Sequence, residues 1–372
     1  MLTKMPSRSA VNGQEGVMTF DLQRLVRRNI RRLKPYSSAR SEFAGTAEVF
    51  LDANENAFGS PAGNGYNRYP DPLQTEMKAR LSALKGVDPS QIFVGNGSDE
   101  AIDLLFRIFC EPGLDEVIIC PPTYGMYRVS ADINDVAVRE VPLTREFQLD
   151  QPAVLGAVSR QTKLIFICSP NNPTGNLMDR RSIIEIAREF ESIVVVDEAY
   201  IDFASEPSLI RELNSLQNLV VLQTLSKAWG MAGLRVGLAF ADPAIVDLMN
   251  RVKPPYNVSG ITQQAAIDAL GEQATVVKWV EAALRQREVL ARELSRLPLV
   301  EKVYSSDANF LLARVSDATV IYRYLLDEKV VVRDRSSVRL CDGCLRITVG
   351  TPDENHRLIQ ALKTCGVGVP PK

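Results

Sequence analysis

The 372-residue sequence has a single histidine, His356, set among acidic and basic residues near its end. One histidine excludes an HExxH metalloprotease, which needs two. It also leaves a Ser-His-Asp hydrolase without a well-placed base. Acid–base chemistry then falls to lysine, tyrosine or carboxylates, and His356 reads as a solvated helix residue. No apolar run approaches the ~20 residues of a membrane span. Residues 1–16 lack the apolar centre of a secretory signal and are expected to be disordered. An excess of charge of one sign is missing too: 43 Lys and Arg against 45 Asp and Glu give a formal net charge of -2. Nothing in that balance drives the chain toward nucleic acid or membrane. The six cysteines are scattered, which fits a reducing, cytoplasmic setting. Cys341 and Cys344 have CxxC spacing, but zinc would need two more ligands, and a strand-like run follows them where a redox pair would open a helix. Both read as structural or incidental, and no metal is expected.

The chain is organised around Thr224-Leu225-Ser226-Lys227-Ala228-Trp229-Gly230-Met231-Ala232-Gly233-Leu234-Arg235. An apolar run enters it at 219–222 and another leaves it at 236–240, which reads as strand, small-residue loop, returning strand. A lysine at a strand exit can be held desolvated. Its pKa then falls, and the free amine can condense with an aldehyde. Ser226 and Arg235 suit a phosphate beside it, one by a hydroxyl and one by a fork of charged donors. A lone lysine in such a loop is more often a surface residue, so the rest of the chain decides.

Residues 18–33 form a basic amphipathic pattern. Phe20, Leu22, Leu25, Val26, Ile30 and Leu33 alternate with arginines at 24, 27, 28, 31 and 32. A helix docked on the protein body or on a second subunit is expected. Further on, residues 50–56 are extended and 73–85 helical. A strand at 91–94 runs through Gly95-Asn96-Gly97-Ser98-Asp99-Glu100 into a helix at 101–110, and such a helix N-terminus is a ready anion site. A strand at 117–120 ends in Pro121-Pro122-Thr123-Tyr124, whose aromatic ring can cover a flat ligand or join the core. Another strand spans 136–141, with a helix near 150–160. The run 164–167 enters Cys168-Ser169-Pro170-Asn171-Asn172-Pro173-Thr174-Gly175, a loop stiffened by two prolines that aims an amide at a site.

After a helix at 180–191, the apolar run 193–196 ends in Asp197. A carboxylate there is costly unless paired. A protonated pyridine nitrogen would pair with it, and Tyr200 could reach the ring hydroxyl. The alternative is an aspartate capping the next helix. Runs near 92, 118, 138, 165, 194, 220 and 237 alternate mostly with helices through 220, the pattern of a parallel α/β sheet. The candidate residues lie at or just past the strands' carboxyl ends, where open α/β sheets bind ligands. After 270 the pattern is that of a smaller α+β domain. Helices are expected at 273–296, 317–328 and 353–364, with strands at 299–303, 309–314, 330–332 and 345–349. Arg333 and Arg346 flank its strands.

Together these motifs resemble the fold-type I pyridoxal-phosphate aminotransferases over residues 36–364. The specific signatures are Asn171-Asn172-Pro173-Thr174-Gly175, Asp197-Glu198-Ala199-Tyr200, and Ser226-Lys227 with Arg235. Within that group the chain looks most like the histidinol-phosphate aminotransferases. That likeness rests on Asn54-Glu55-Asn56, Arg68-Tyr69-Pro70, Cys120-Pro121-Pro122-Thr123-Tyr124-Gly125-Met126-Tyr127, and Cys344-Leu345-Arg346-Ile347-Thr348-Val349-Gly350-Thr351.

The resemblance implies a seven-stranded, mostly parallel sheet sandwiched by helices. It further implies an N-terminal arm at 1–46, a large cofactor-binding domain at 47–270 and a small α+β domain at 271–372. The implied cofactor is pyridoxal 5′-phosphate. Lys227 would be its Schiff-base lysine and proton shuttle, Asp197 the partner of the pyridine nitrogen, Asn172 and Tyr200 the partners of the ring oxygen, and Tyr124 the stacking ring. Ser98, Asp99, Ser226 and Arg235 would hold its phosphate, with Tyr69 arriving from the other subunit of a homodimer. Tyr36, Asn172, Tyr256, Arg333 and Arg346 would bind the substrates: L-glutamate, 2-oxoglutarate, L-histidinol phosphate and imidazole-acetol phosphate. An aromatic amino-acid aminotransferase and a threonine-phosphate decarboxylase remain alternatives. A non-enzymatic regulator would need a DNA-binding domain, for which the N-terminal helix is too small.

Overall fold

The computed structural model describes residues 20–36, 48–63 and 65–365. The expectations for residues 1–16 and for a boundary at 46/47 lie outside them. The basic helix expected over 18–33 is two short helices, α1 (Leu22–Leu25) and α2 (Arg28–Arg31). Val26 and Arg27 between them are extended, and a tertiary contact accounts for the break. The Arg27 N–H is donated to the Ile108 carbonyl at 2.9 Å and its Nη1 to the Arg107 carbonyl at 3.1 Å. A cation is favoured at the end of that later helix, where carbonyls lack partners. The apolar side does dock on the protein body: Val26 and Ile30 are buried in a core with Phe20, Leu22 and Leu25 packed against it.

Helix α3 (Thr75–Lys85) precedes the large sheet. The sheet comprises β1 (Ile92–Asn96), β2 (Glu116–Ile119), β3 (Ala137–Glu140), β4 (Thr162–Cys168), β5 (Ile193–Asp197), β6 (Leu219–Thr224) and β7 (Val236–Phe240). Its order is β1-β7-β6-β5-β4-β2-β3, and β7 runs opposite to the other six strands. Alternation along each strand divides the side chains between two cores. Ile165, Ile167, Val194 and Val196 join one, and Leu164, Phe166, Ile193 and Val195 the other. Burial on both faces is why these strands read as unbroken apolar runs. Helices α4 (Ser98–Phe109), α5 (Met126–Ile133), α6 (Gln151–Gly156), α7 (Arg180–Glu189) and α8 (Pro243–Val252) cover the two faces. Helix α8, and α9 (Gly260–Leu270) after it, are elements the sequence reading leaves unassigned. Both carry local start signals: Asp242 accepts from the Ala244 N–H, with Pro243 in the first turn, and Ser259 accepts from the Thr262 N–H.

The long helix α10 (Gln273–Leu294) leads to an antiparallel sheet of order β10-β11-β9-β8. Its parts in chain order are β8 (Val300–Val303), β9 (Phe310–Val315), α11 (Ala318–Asp327), β10 (Arg333–Asp334), β11 (Cys344–Thr348) and α12 (Pro352–Thr364). The strand expected at 330–332 begins only at Arg333. The Val330 N–H is spent on the Leu325 carbonyl, closing the end of α11 after Lys329 at φ 62°. In β10 and β11, Arg333 pairs directly with Arg346. The core under the first face of the large sheet also takes in Ala308, Phe310, Leu312, Cys341 and Cys344 from the small one. All six cysteines are free and buried, and His356 is exposed on α12.

Candidate active site

A cavity of about 640 Å³ opens between the carboxyl ends of the large sheet's strands and the β10–β11 edge of the small sheet. Eleven residues singled out in the sequence line it: Ser98, Asp99, Tyr124, Asn172, Asp197, Tyr200, Ser226, Lys227, Arg235, Arg333 and Arg346. Three do not. Tyr36, after α2, is 75% exposed, and Tyr69 and Tyr256 stack on each other with centroids 4.5 Å apart.

Asp197 ends β5 with 3% of its surface exposed. Its Oδ2 accepts from the Tyr127 hydroxyl at 2.8 Å and its Oδ1 from the Ala199 N–H at 3.0 Å. Burial pushes its pKa up to about 6 despite these donors. No cation lies within ion-pair distance of it among the described residues. Glu198 beside it, on the opposite side of the strand, has a full set of donors: Ser208 Oγ, the Leu209 N–H at 2.7 Å and Gln223 Nε2 at 3.0 Å. Of two adjacent buried carboxylates, one is satisfied and the other is left with capacity for a cation.

Lys227 follows β6 in a tight turn and is exposed to the cavity. Its Nζ lies 5.5 Å from the Tyr200 ring centroid. Desolvation by the cavity walls, then the charges of Arg346 and Arg235, lower its pKa against the opposing pull of Asp197 and Asp99. Tyr200 is buried edge-on to Phe310 at 5.1 Å, and burial pushes its phenol above the usual range. Asn172 bridges two sides of the cavity. Its Nδ2 donates to the Tyr200 oxygen at 3.5 Å, and its Oδ1 accepts from Arg346 Nη1 at 2.5 Å. The loop that carries it is held from within, because Asn171 Nδ2 donates to the Pro122 carbonyl at 2.9 Å and to Thr174 at 2.7 Å.

At the other end of the cavity, α4 starts at Ser98 after Gly97 at φ 78°. The Gly97 N–H is donated to the Arg235 carbonyl at 2.8 Å. Arg235 itself has φ 56°, and its Nη2 stands 3.4 Å from Asp99 Oδ2. Tyr124 donates to the other Asp99 oxygen at 3.1 Å. Only glycine fits at 237, since a Cβ there would lie 2.0 Å from Gly97 C and Ser98 N. The close approach of β7 sets the helix N-terminus beside Arg235 and Ser226. Free N–H groups, a hydroxyl and a guanidinium thus converge where an anionic group would sit.

Two site residues escape the sequence reading. Tyr127 is the partner of Asp197, 70 residues away in sequence. Arg335 lines the cavity beside Arg333 and Arg346, and its Nε is buried without a partner. Burial, then the Arg333 charge, lower its pKa. The Arg333-Asp334-Arg335 alternation is a legible signal, since residues two apart on an extended chain share a face. None of the three guanidiniums has a carboxylate within ion-pair distance among the described residues.

The sequence matches the family model of aminotransferase class I and II over residues 40–362. The chain belongs to this family. This aminotransferase is 55% identical to the histidinol-phosphate aminotransferase of Cytophaga hutchinsonii, over 93% of its own chain and 100% of the relative. It is also 55% identical to that of Parabacteroides distasonis, over 92% and 98% respectively. Its fold matches the crystal structure of histidinol-phosphate aminotransferase from Sinorhizobium meliloti in complex with pyridoxal-5'-phosphate. That match has TM-score 0.75 and 24% identity, covering 84% of this chain and 89% of that one. The aminotransferase fold is therefore the fold-type I architecture.

Proposed function

We propose that this aminotransferase uses pyridoxal 5′-phosphate to exchange an amino group between L-glutamate and imidazole-acetol phosphate, forming L-histidinol phosphate and 2-oxoglutarate. The residues fit the cofactor. A buried carboxylate with no cation in ion-pair reach among the described residues suits a protonated ring nitrogen, and the Ser98, Asp99, Ser226 and Arg235 cradle suits its phosphate. Asn172 and Tyr200 would bond the ring oxygen and Tyr124 would cover the ring. Tyr69 would reach the phosphate from the partner of a homodimer, with Tyr36 and Tyr256 on the substrate side. Residues 47–270 would form the cofactor domain and 271–372 the small domain of a cytoplasmic enzyme.

When bound, the cofactor supplies an aldehyde for the amino group and an electron-accepting ring for the pair left by the departing Cα proton. Lys227 holds and moves that proton at Nζ, and desolvation by the cavity walls lowers its pKa, which favours the free amine. Asp197 holds positive charge at the ring nitrogen. Asn172 and Arg346 fix each other's orientation, so substrate meets a preset donor array.

One observation carries the substrate reading: three guanidiniums, at Arg333, Arg335 and Arg346, face the cavity without carboxylate partners among the described residues. Such a wall suits a phosphate or carboxylate tail, and the two bacterial relatives are named for a phosphate ester. The test is a half-reaction, in which L-histidinol phosphate added to holoenzyme should convert the cofactor's visible absorbance to the amine form. Response to phenylalanine alone would move the assignment to an aromatic aminotransferase. Carbon dioxide release from L-threonine O-3-phosphate would make it a decarboxylase. Loss of cofactor colour and turnover in Lys227→Ala checks the lysine assignment.

A further inference from the structure

Tyr127, on α5, is fully buried and has no part in the chemistry above. Its ring lies 4.8 Å from Phe166 at an interplanar angle of 17°, and 5.6 Å edge-on from Tyr124. Phe166 stacks in turn on Phe106 at 5.4 Å. This aromatic column fixes the phenol, and its hydroxyl is aimed at Asp197 Oδ2, 2.8 Å away. The ring's packing is complete without the hydroxyl, so phenylalanine would satisfy the column but not the carboxylate.

We propose that Tyr127 is a positioning residue for the cofactor: its O–H keeps Asp197 ionised and turned to receive a protonated ring nitrogen. This rests on the pyridoxal-phosphate reading of the site. Burial opposes the Asp197 charge, as does Asp99, while the Tyr127 O–H, the Ala199 N–H and Lys227 favour it. Cys168, Tyr124 and Tyr200 also face the carboxylate, and burial keeps all three neutral. Tyr127's own phenol is pushed well above its usual range by burial and by Asp197, so it stays a donor. A hydrogen bond to an ionised acceptor is about twice as strong as one between neutral groups. Its loss would leave the anion with a single backbone donor.

The test is equilibrium binding of pyridoxal 5′-phosphate to the wild-type and Tyr127→Phe apoproteins between pH 5 and 9. The variant is expected to bind about tenfold more weakly near neutral pH. The pH below which affinity falls should move up by about one unit, because the carboxyl protonates more readily. Equal affinities and equal midpoints would overturn the proposal. A lowered melting temperature with an unmoved pH midpoint would mean a structural role only, and would overturn it too. Should Tyr127→Phe fail to fold, 3-fluorotyrosine at position 127, a stronger donor, should move the midpoint down; an unmoved midpoint there counts against the proposal. If the wild type binds no cofactor at any pH, the cofactor reading itself falls, an outcome distinct from a variant that matches the wild type.

Discussion

Arg346 donates to the side-chain oxygen of Asn172 across 174 positions of sequence, joining β11 of the small sheet to the loop after β4 of the large one. The bond also orients the Asn172 amide, leaving its nitrogen for Tyr200. Lysine at 346 would keep the charge but lose the fork and the amide's orientation. Arg346→Lys is expected to lower kcat/KM for both glutamate and L-histidinol phosphate by about 10- to 100-fold, ~1.4 to 3 kcal/mol. Steady-state kinetics with each substrate checks this, and a loss confined to one substrate would contradict a shared role.

Arg335 should separate the two substrates. A dianionic phosphate presents three oxygens and gains more from a third guanidinium than a carboxylate does. Arg335→Met is expected to cut kcat/KM for L-histidinol phosphate about tenfold and for glutamate by less. Equal losses would place Arg335 outside the discriminating set.

Asp197→Asn should trade function for stability in the apoprotein. The folded pKa, about 6, lies above the 3.8 of a free aspartate. The folded state therefore binds more protons between these values, and the carboxyl's contribution, full below about pH 4, is lost as pH rises through 6. The shift corresponds to roughly 3 kcal/mol. The apo wild type should lose about that much stability relative to Asp197→Asn between pH 4 and 7, in urea titrations. The variant should also lose most of its cofactor affinity.

Gly237→Ala places a methyl 2.0 Å from the backbone of Gly97 and Ser98. It is expected to destabilise the protein by about 3 kcal/mol or more and to weaken cofactor binding by displacing the start of α4. Gly233→Ala, whose Cβ meets nothing within 4 Å, is the control, with a change of about 0.5 kcal/mol or less. Denaturant midpoints of both variants provide the measurement.

Much of this architecture is legible in the residues themselves. Strands β4, β5 and β6 are buried on both faces and announce themselves as apolar runs. Asp197 stands out because it ends such a run, and Asn172 and Lys227 because they sit in the loops that follow two others. Tyr127 does not, because its meaning lies in a carboxylate 70 residues away, and an aromatic on an amphipathic helix reads as core. The split of the N-terminal helix at Val26 and Arg27 is equally invisible, since the cause is a pair of carbonyls at the end of α4. Arg335, by contrast, follows from strand alternation once the edge at Arg333 is placed correctly.

The core shared by the two sheets bears on how the enzyme can move. Phe310 and Leu312 lie in one apolar mass with Ile167 and Val196, and Asp307 is tied to the Asn172 loop through the Gly175 carbonyl at 2.7 Å and the Leu177 N–H at 2.9 Å. A wide hinge swing of the arginine wall would bring that apolar mass into water, at about 25 cal/mol for each Å² uncovered. Substrate capture in this enzyme should therefore proceed by ångström-scale sliding and side-chain rearrangement, with the arginines already waiting in register.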